Sequence, residues 1–237
     1  MVKKILCIVL ALLILAGAAA CFALNHYGLL SSVHPLKAAA PGQIKVACVG
    51  DSVTYGYGIK NRAKYNYPSV LQGMLGDGYC VNNYGYSGRT VGSTADRPYA
   101  NETLYQKSLA FQPDIVVFML GSNDSKPFNW NKTQFKKDYK ALVETYRALD
   151  SRPRIYLVVP TPVYPVNGAV KYNIDGDVLQ NEIVPLTRQL ADELDLPVID
   201  MNAPFLGHPD FFSDGCHPNR DGALLYAQLV YGAITKN

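Results

Sequence analysis

The sequence predicts a three-layer α/β/α domain built around a parallel sheet. Two observations carry this prediction: short, nearly continuous apolar runs, and stretches of helical periodicity that alternate with them. Strands that lack polar alternation are buried on both faces, as in a parallel sheet covered by helices on each side. The 237 residues contain no repeat and suffice for one well-cored domain plus a leader.

Five apolar runs are the predicted strands: 44–49, 79–84, 115–120, 155–159 and 197–199. Three helices are predicted from apolar residues at steps of three and four: Phe135, Tyr139, Leu142, Tyr146 and Leu149; Leu179, Ile183, Leu186, Leu190 and Leu194; and Ala223, Tyr226, Ala227, Val230 and Ile234. Asp177 with Gln180 resembles a capping box at the start of the second helix, and Asn219 is a candidate cap for the third. Pro185 should kink the second helix or mark a break near its first turn.

The N-terminal segment predicts export. Lys3 and Lys4 precede an uncharged run, 5–24, that ends in small residues. We expect 1–24 to be a cleaved secretory signal or an uncleaved membrane anchor, with lipidation at Cys21 as a third alternative. Residues 25–42 are then a linker and 43–237 the domain. All three alternatives place the domain outside the cytoplasm, where it contacts a membrane only through an uncleaved leader.

Composition limits the partners and the chemistry. The net charge is +3, and Lys3 and Lys4 in the leader supply two of those charges, so no basic run remains that would indicate nucleic acid as a partner. The cysteines of the domain, Cys48, Cys80 and Cys216, have neither the number nor the spacing of a disulfide framework or a metal site.

Polar clusters follow the first three predicted strands and precede the last helix. They are GDS at 50–52, NYGYSG at 83–88, GSND at 121–124 and DGCHP at 214–218. Because ligands bind at the carboxyl ends of strands in an open parallel sheet, we expect these clusters to form one site.

The residue types of these clusters suit nucleophilic catalysis. A serine hydroxyl needs an adjacent base, which His217 can supply to Ser52. Asp214 lies three residues before His217 and could orient its imidazole, although Asp51 and Asp124 are also near the site. Backbone N–H groups of Ser52 and Gly85, together with the Asn123 amide, could stabilise an oxyanion. No cofactor or metal is needed for this chemistry.

The four clusters, in this order, resemble the sequence blocks of the SGNH (GDSL-like) hydrolase family from residue 44 to the C-terminus. The resemblance implies a flavodoxin-like fold with five parallel strands. It also implies Ser52 as nucleophile, His217 as base, Asp214 as orienter, and Ser52, Gly85 and Asn123 as the oxyanion hole.

The substrate is expected to be a short-chain ester on a small molecule or glycan. GSNDSKPFNW at 121–130 resembles a stretch of the family's carbohydrate O-acetylesterases, and aromatic residues in the loops could bind sugar. Tyr86, Arg89 and Trp130 are the candidate substrate contacts, and these polar or bulky side chains suit an acetyl group better than a lipid chain. A lipase, lysophospholipase or thioesterase of the same family is the alternative.

Two alternatives come from other classes. A metal-dependent hydrolase could use His208, Asp214 and His217, although their spacing is not a known ligand pattern. A non-catalytic glycan-binding module could share the fold, but a binder has no need to retain the serine, asparagine, aspartate and histidine together.

Overall fold

Five parallel strands form the centre of the fold in the computed structural model, which describes residues 14, 16–21 and 35–236. They are β1 (Ile44–Gly50), β2 (Tyr79–Gly85), β3 (Ile115–Met119), β4 (Arg154–Val159) and β5 (Val198–Asp200). The strand order is β2-β1-β3-β4-β5, and every neighbouring pair is parallel. The predicted sheet is therefore confirmed, with each strand within one or two residues of its expected bounds.

Apolar residues of the central strands alternate between two cores. In β1, Val46 and Cys48 face one core, whereas Ala47 and Val49 face the other, and all four are fully buried. This two-sided burial is the physical reason for the continuous apolar runs, because neither face of the central strands meets water.

Helices cover both faces of the sheet. The described part of the chain contains α1 (Ser52–Tyr55), α2 (Arg62–Tyr65), α3 (Tyr67–Leu75), α4 (Thr103–Ala110), α5 (Lys132–Arg147), α6 (Val184–Glu193) and α7 (Arg220–Thr235). Helices α4, α5 and α6 bury their apolar residues in the core that contains Ala47 and Val49, and α3 and α7 in the core that contains Val46 and Cys48. Short 3₁₀ turns occupy several loops, including Ser122–Ser125 and Lys171–Asn173.

One of the two predicted helix caps is correct. The Asn219 side chain accepts hydrogen bonds from the N–H groups of Asp221 and Gly222, so it caps α7 as predicted. The capping box at Asp177 is wrong, because the Asp175 carboxylate accepts from the N–H groups of Asp177 and Val178 instead. The helical turn starts at Gly176, so Asp177 lies inside the first turn and not at the cap position that precedes it.

Pro185 follows a π-helical irregularity and not a break, because the backbone stays in the right-handed helical region through Ile183 and Val184. Residues Leu179–Ile183 form a π-helical stretch, and α6 begins directly after it with Pro185 in its first turn. Proline has no N–H to donate to the preceding turn, so the regular α-helical hydrogen bonding is interrupted there, and the π-helical stretch lies directly before it.

Most of the predicted leader (1–24) and linker (25–42) lies outside the described residues, and the proposed cleavage, anchoring or lipidation stays a prediction. Within the described residues, no helix is both long and apolar enough to cross a membrane. The described end of the linker lies beside the edge strand β2. There the backbone N–H of Lys37 donates to the side-chain oxygen of Asn82 at 2.8 Å, and the Asn82 side-chain NH₂ donates to the Lys37 carbonyl at 2.9 Å.

Candidate active site

The four polar clusters converge on one cleft of about 420 Å³. The chain leaves β1, β2 and β3 at the same edge of the sheet, and the loop before α7 returns to that edge. Ser52, Asn123 and His217 all line the cleft, as expected for side chains at the carboxyl ends of parallel strands.

A tight turn from β1 into α1 presents Ser52. The Asp51 side chain caps α1 by accepting the N–H of Val53 at 2.9 Å, and Ser52 is the first residue of that helix. Gly50 makes the turn possible, since a Cβ built on it would lie 2.2 Å from Oγ1 of Thr54. The Ser52 hydroxyl is therefore held at the floor of the cleft, where the residue is 9% exposed.

Ser52, His217 and Asp214 form a continuous hydrogen-bonded chain. Nε2 of His217 lies 2.9 Å from Oγ of Ser52, and Nδ1 of His217 lies 2.8 Å from Oδ2 of Asp214. Oδ1 of Asp214 accepts the backbone N–H groups of His217 at 2.7 Å and of Cys216 at 3.0 Å, which fixes the carboxylate beside the ring. Burial opposes ionisation of Asp214, but its hydrogen bonds from His217 and the charge of that ring hold its pKa well below the usual range.

Two tyrosines enclose the His217 ring. The ring centroids of Tyr57 and Tyr172 lie 4.6 and 5.0 Å from that of His217. The Tyr172 hydroxyl donates a hydrogen bond of 2.8 Å to Oδ2 of Asp214, the oxygen that also faces His217 Nδ1. Sequence reasoning missed Tyr172, because it lies in an irregular loop, in the left-handed region at φ 62°, with no motif around it.

The predicted role of Gly85 is wrong. Its N–H donates to Oδ1 of Asn83 at 2.9 Å, and a Cβ on Gly85 would lie 2.2 Å from the backbone N of Tyr55. Gly85 is thus needed for the close packing of β2 against α1, and its N–H is already bonded.

The second glycine of the same block, Gly88, lies at the cleft instead. It has a φ of 80°, which favours glycine, and neither its N–H nor that of Ser52 has a hydrogen-bond partner among the described residues. Nδ2 of Asn123 also faces this region and donates to Oδ2 of Asp51 and to the carbonyl of Arg89, both at 3.2 Å. These donors could together stabilise a negatively charged oxygen next to Ser52.

Two buried acids support the loops around the site. Burial raises the pKa of Asp51 to about 6 and that of Asp124 to about 7. Asp124 accepts the N–H groups of Val91 and Gly92 at 3.0 and 2.8 Å, which ties the loop after β2 to the turn after β3. Neither acid is hydrogen-bonded to His217, so Asp214 is the carboxylate that the structure pairs with the histidine.

The structure places none of the three candidate substrate contacts in the lining of the cleft. The Arg89 guanidinium stacks 3.4 Å above the Tyr86 ring and bonds to Glu102 at 2.7 Å, so both side chains are engaged elsewhere. Trp130 turns onto Phe135 of α5, at 5.5 Å between ring centroids, and its Nε1–H donates to Glu182. These expectations are therefore corrected.

Tyr57, Arg97, Lys126, Phe128 and Tyr172 are among the side chains that line the cleft instead. Sequence reasoning could place whole loops at the strand ends, but not the direction of each side chain within them.

The candidate metal ligands do not come together. His208 is exposed and lies 3.7 Å from Asp210, whereas Asp214 and His217 bond to each other. In the part of the chain that the structure describes, no three His, Cys, Asp or Glu side chains are grouped to hold a metal ion. Cys216 lines the cleft, but burial raises the pKa of its thiol to about 12, so it is a poor nucleophile.

Esterases are among the known proteins of similar sequence and structure. A 40% identical relative is an acetylxylan esterase of Xylanibacter ruminicola, aligned over 81% of this chain and 43% of that protein. This chain therefore spans less than half the length of that relative. The structure of a carbohydrate acetylesterase family member from Sinorhizobium meliloti is 28% identical, with a TM-score of 0.64 over 81% of this chain and 97% of that one.

A likeness of fold alone extends to a putative arylesterase from Agrobacterium tumefaciens, which is 23% identical with a TM-score of 0.67 over 81% of this chain and 98% of that one. Residues 48–225 match the model of the GDSL-like lipase/acylhydrolase family, and this range contains all four polar clusters and most of the sheet. The chain therefore belongs to the GDSL-like lipase/acylhydrolase family.

Proposed function

We propose that this protein is a serine esterase that hydrolyses short-chain carboxylic esters, in particular O-acetyl groups on a carbohydrate. The observation that carries the proposal is the chain of hydrogen bonds from Ser52 through His217 to Asp214, at 2.9 and 2.8 Å, at the floor of an open cleft. Family membership and the acetylesterases among the relatives support the choice of ester.

The first half of the reaction forms an acyl-enzyme. Oγ of Ser52 attacks the ester carbonyl carbon while its proton passes to Nε2 of His217. Asp214 holds Nδ1–H of His217 and stabilises the positive charge that the ring acquires. When the tetrahedral intermediate collapses, the ester C–O bond breaks, and the alcohol leaves with the proton from Nε2.

The second half releases the acid. A water molecule gives a proton to Nε2 of His217 and attacks the acyl carbon, and the bond between the acyl carbon and Oγ of Ser52 then breaks with return of the proton to Oγ. Ester and water are thus converted to alcohol and carboxylic acid, and the enzyme is regenerated with no net change in its protonation.

Both tetrahedral intermediates carry a negative oxygen. We assign the N–H groups of Ser52 and Gly88 and the Asn123 amide as its donors. The two backbone groups are unbonded within the described residues, and the two bonds of the Asn123 amide, at 3.2 Å, are at the long end of the normal range. A charged oxygen is a stronger acceptor than the Arg89 carbonyl, so the amide can turn one hydrogen toward it.

The walls of the cleft favour a small acyl group and a polar alcohol. Arg97 and Lys126 place charge at the cleft, and Tyr57 and Tyr172 offer aromatic faces beside His217. A long acyl chain would need a continuous apolar trough, because each buried CH₂ contributes about 0.8 kcal/mol.

A substrate panel tests the proposal. Initial rates are measured with 4-nitrophenyl acetate, butyrate and octanoate, and acetate release with acetylated xylan. We expect the acetyl ester to have a higher kcat/KM than the octanoyl ester, and Ser52→Ala and His217→Ala each to abolish nearly all turnover in folded protein. A tenfold preference for octanoate would contradict the choice of acyl group, and half-maximal activity in Ser52→Ala would contradict the mechanism.

A further inference from the structure

One buried cation in the cleft has no partner. Lys126 is 8% exposed and lines the cleft together with Ser52 and Asn123. Within the described residues, no hydrogen bond or ion pair involves its ammonium, and its one close aromatic contact is the Phe128 ring, 6.0 Å from Nζ. By contrast, the side chains of Lys136 and Lys140 on α5 are 35% and 39% exposed, and both pair with Glu193.

The ammonium of Lys126 meets the water of the cleft, but no protein group of the described residues is bonded to it. Buried charges in folded proteins are paired or hydrogen-bonded, because removal from water is otherwise not offset. The charge of Lys126 lowers the pKa of Asp51, yet no carboxylate oxygen of the described residues lies within 4 Å of Nζ. The missing partner is therefore expected from outside the chain, and the cleft is where it can enter.

A second cation faces the same cleft. The Arg97 side chain is 60% exposed and lies over Gly88, where a built Cβ would be 3.4 Å from Nη1 of Arg97. Asp96 is nearby, but its carboxylate is 3.9 Å from Arg97 and accepts a hydrogen bond from Asn129 at 2.8 Å. Asp96 therefore offsets part of the charge of Arg97, whereas Lys126 has no carboxylate within 4 Å among the described residues.

We propose that Lys126, assisted by Arg97, forms a subsite for the carboxylate of an acidic sugar. The preferred substrate is then an acetylated glycan that carries a uronic acid at or next to the acetylated residue. This inference rests on the proposed function, which it makes more specific by assigning a class of carbohydrate. An ammonium–carboxylate contact inside the cleft is a charge-assisted hydrogen bond and is stronger than the contacts that a neutral sugar could make there.

The test compares D-glucuronate with D-glucuronamide, which has the same shape without the charge. Both are used as competitive inhibitors of 4-nitrophenyl acetate hydrolysis, and binding of both is also measured by calorimetry, which needs no turnover. We expect glucuronate to bind at least about tenfold more tightly than the amide, as is typical for a hydrogen bond to a charged group. Lys126→Met should remove this difference, whereas the control Lys137→Met, at an exposed position of α5, should keep it.

Thermal unfolding gives an independent result. Lys126→Met replaces a charge that has no protein partner by an apolar chain of similar length, so the Tm of the empty variant should be no lower than that of the wild type. Glucuronate should raise the Tm of the wild type and not that of Lys126→Met. A lower Tm of the empty variant would show that the ammonium is already satisfied by the protein, and would overturn the proposal.

Other outcomes also overturn the subsite. These are equal binding of glucuronate and glucuronamide, tighter binding of glucose 6-phosphate than of glucuronate, or a loss in Lys126→Met that is the same for neutral and acidic substrates. The last result would place Lys126 at the reacting centre. Failure of the proposed esterase function is recognised separately. In that case no Ser52-dependent turnover of 4-nitrophenyl acetate would be observed, but calorimetry would still compare the binding of glucuronate and glucuronamide.

Discussion

Replacement of Asp214 by asparagine should damage catalysis through the tautomer of His217. Oδ1 of Asp214 accepts two backbone N–H groups at 2.7 and 3.0 Å, so an asparagine oxygen will take that position. Its NH₂ group then occupies the place of Oδ2, 2.8 Å from Nδ1 of His217, and donates to it. The ring must carry its proton on Nε2, where it faces Oγ of Ser52 at 2.9 Å and can no longer accept the serine proton.

The expected loss in kcat/KM for Asp214→Asn is about 10³- to 10⁴-fold, the range of a wrong histidine tautomer in other serine hydrolases. Asp214→Ala imposes no tautomer, and water can replace the carboxylate, so its loss should be smaller. The assay is 4-nitrophenyl acetate hydrolysis at pH 8, with circular dichroism to verify the fold. Asp210→Asn is the matched control, since that acid is exposed and lies by His208.

Activity of Asp214→Asn within about threefold of the wild type would refute the reasoning, provided that Asp210→Asn is also unaffected. Such a result would mean that the contact between Asp214 and His217 does not set the proton position.

Three further predictions concern the surroundings of the site. Tyr172→Phe removes a hydrogen bond to the Asp214 carboxylate but leaves the aromatic ring against His217. Because Tyr172 is 45% exposed, water replaces part of this bond, and we expect a three- to tenfold lower kcat/KM in steady-state assays. An unchanged kcat/KM would show that Tyr172 does not help to position Asp214. Gly88→Ala should yield folded protein with a lowered kcat, whereas Gly85→Ala should lower the Tm strongly, because the added Cβ would overlap the backbone of α1. A folded Gly85→Ala variant with a lowered kcat, together with full activity in Gly88→Ala, would instead identify Gly85 as the oxyanion donor. Burial raises the pKa of the Asp124 carboxyl to about 7 in the folded state, so the folded protein binds the carboxyl proton more tightly than the unfolded chain does. The protonated carboxyl therefore contributes to the free energy of unfolding below about pH 4, and this contribution is lost as the pH rises to about 7. Its size is at most about 4 kcal/mol, and urea unfolding between pH 4.5 and 8 should show a smaller decrease in Asp124→Asn than in the wild type.

The strands of the sheet could be predicted because the burial of each strand determines the residue types within that strand alone. Full burial of both faces demands an apolar residue at nearly every position of β1 and β3, and that demand is visible in the sequence. The position of the site follows from the same fact, because parallel strands place all their carboxyl ends at one edge. The sequence alone therefore suffices to predict that Ser52, Asn123 and His217 lie at one cleft.

The finer features depend on which way each loop residue turns. Gly85 and Gly88 lie three residues apart in one motif, and only the packing of β2 against α1 decides which N–H remains free. Trp130 was expected at the substrate, but its neighbour Phe135 on α5 offers an apolar contact that turns the ring inward. Tyr172 reaches Asp214 from 42 residues away, a contact that no local pattern encodes.

The nucleophile is tested most directly by covalent labelling. The purified protein is incubated with an organophosphonate inhibitor, and the modified residue is located by peptide mass spectrometry. We predict one adduct per chain, on Ser52, formed with complete loss of esterase activity and absent from the folded Ser52→Ala and His217→Ala variants. An adduct on another residue that accompanies inactivation, or full esterase activity in a protein whose Ser52 is labelled, would contradict the account.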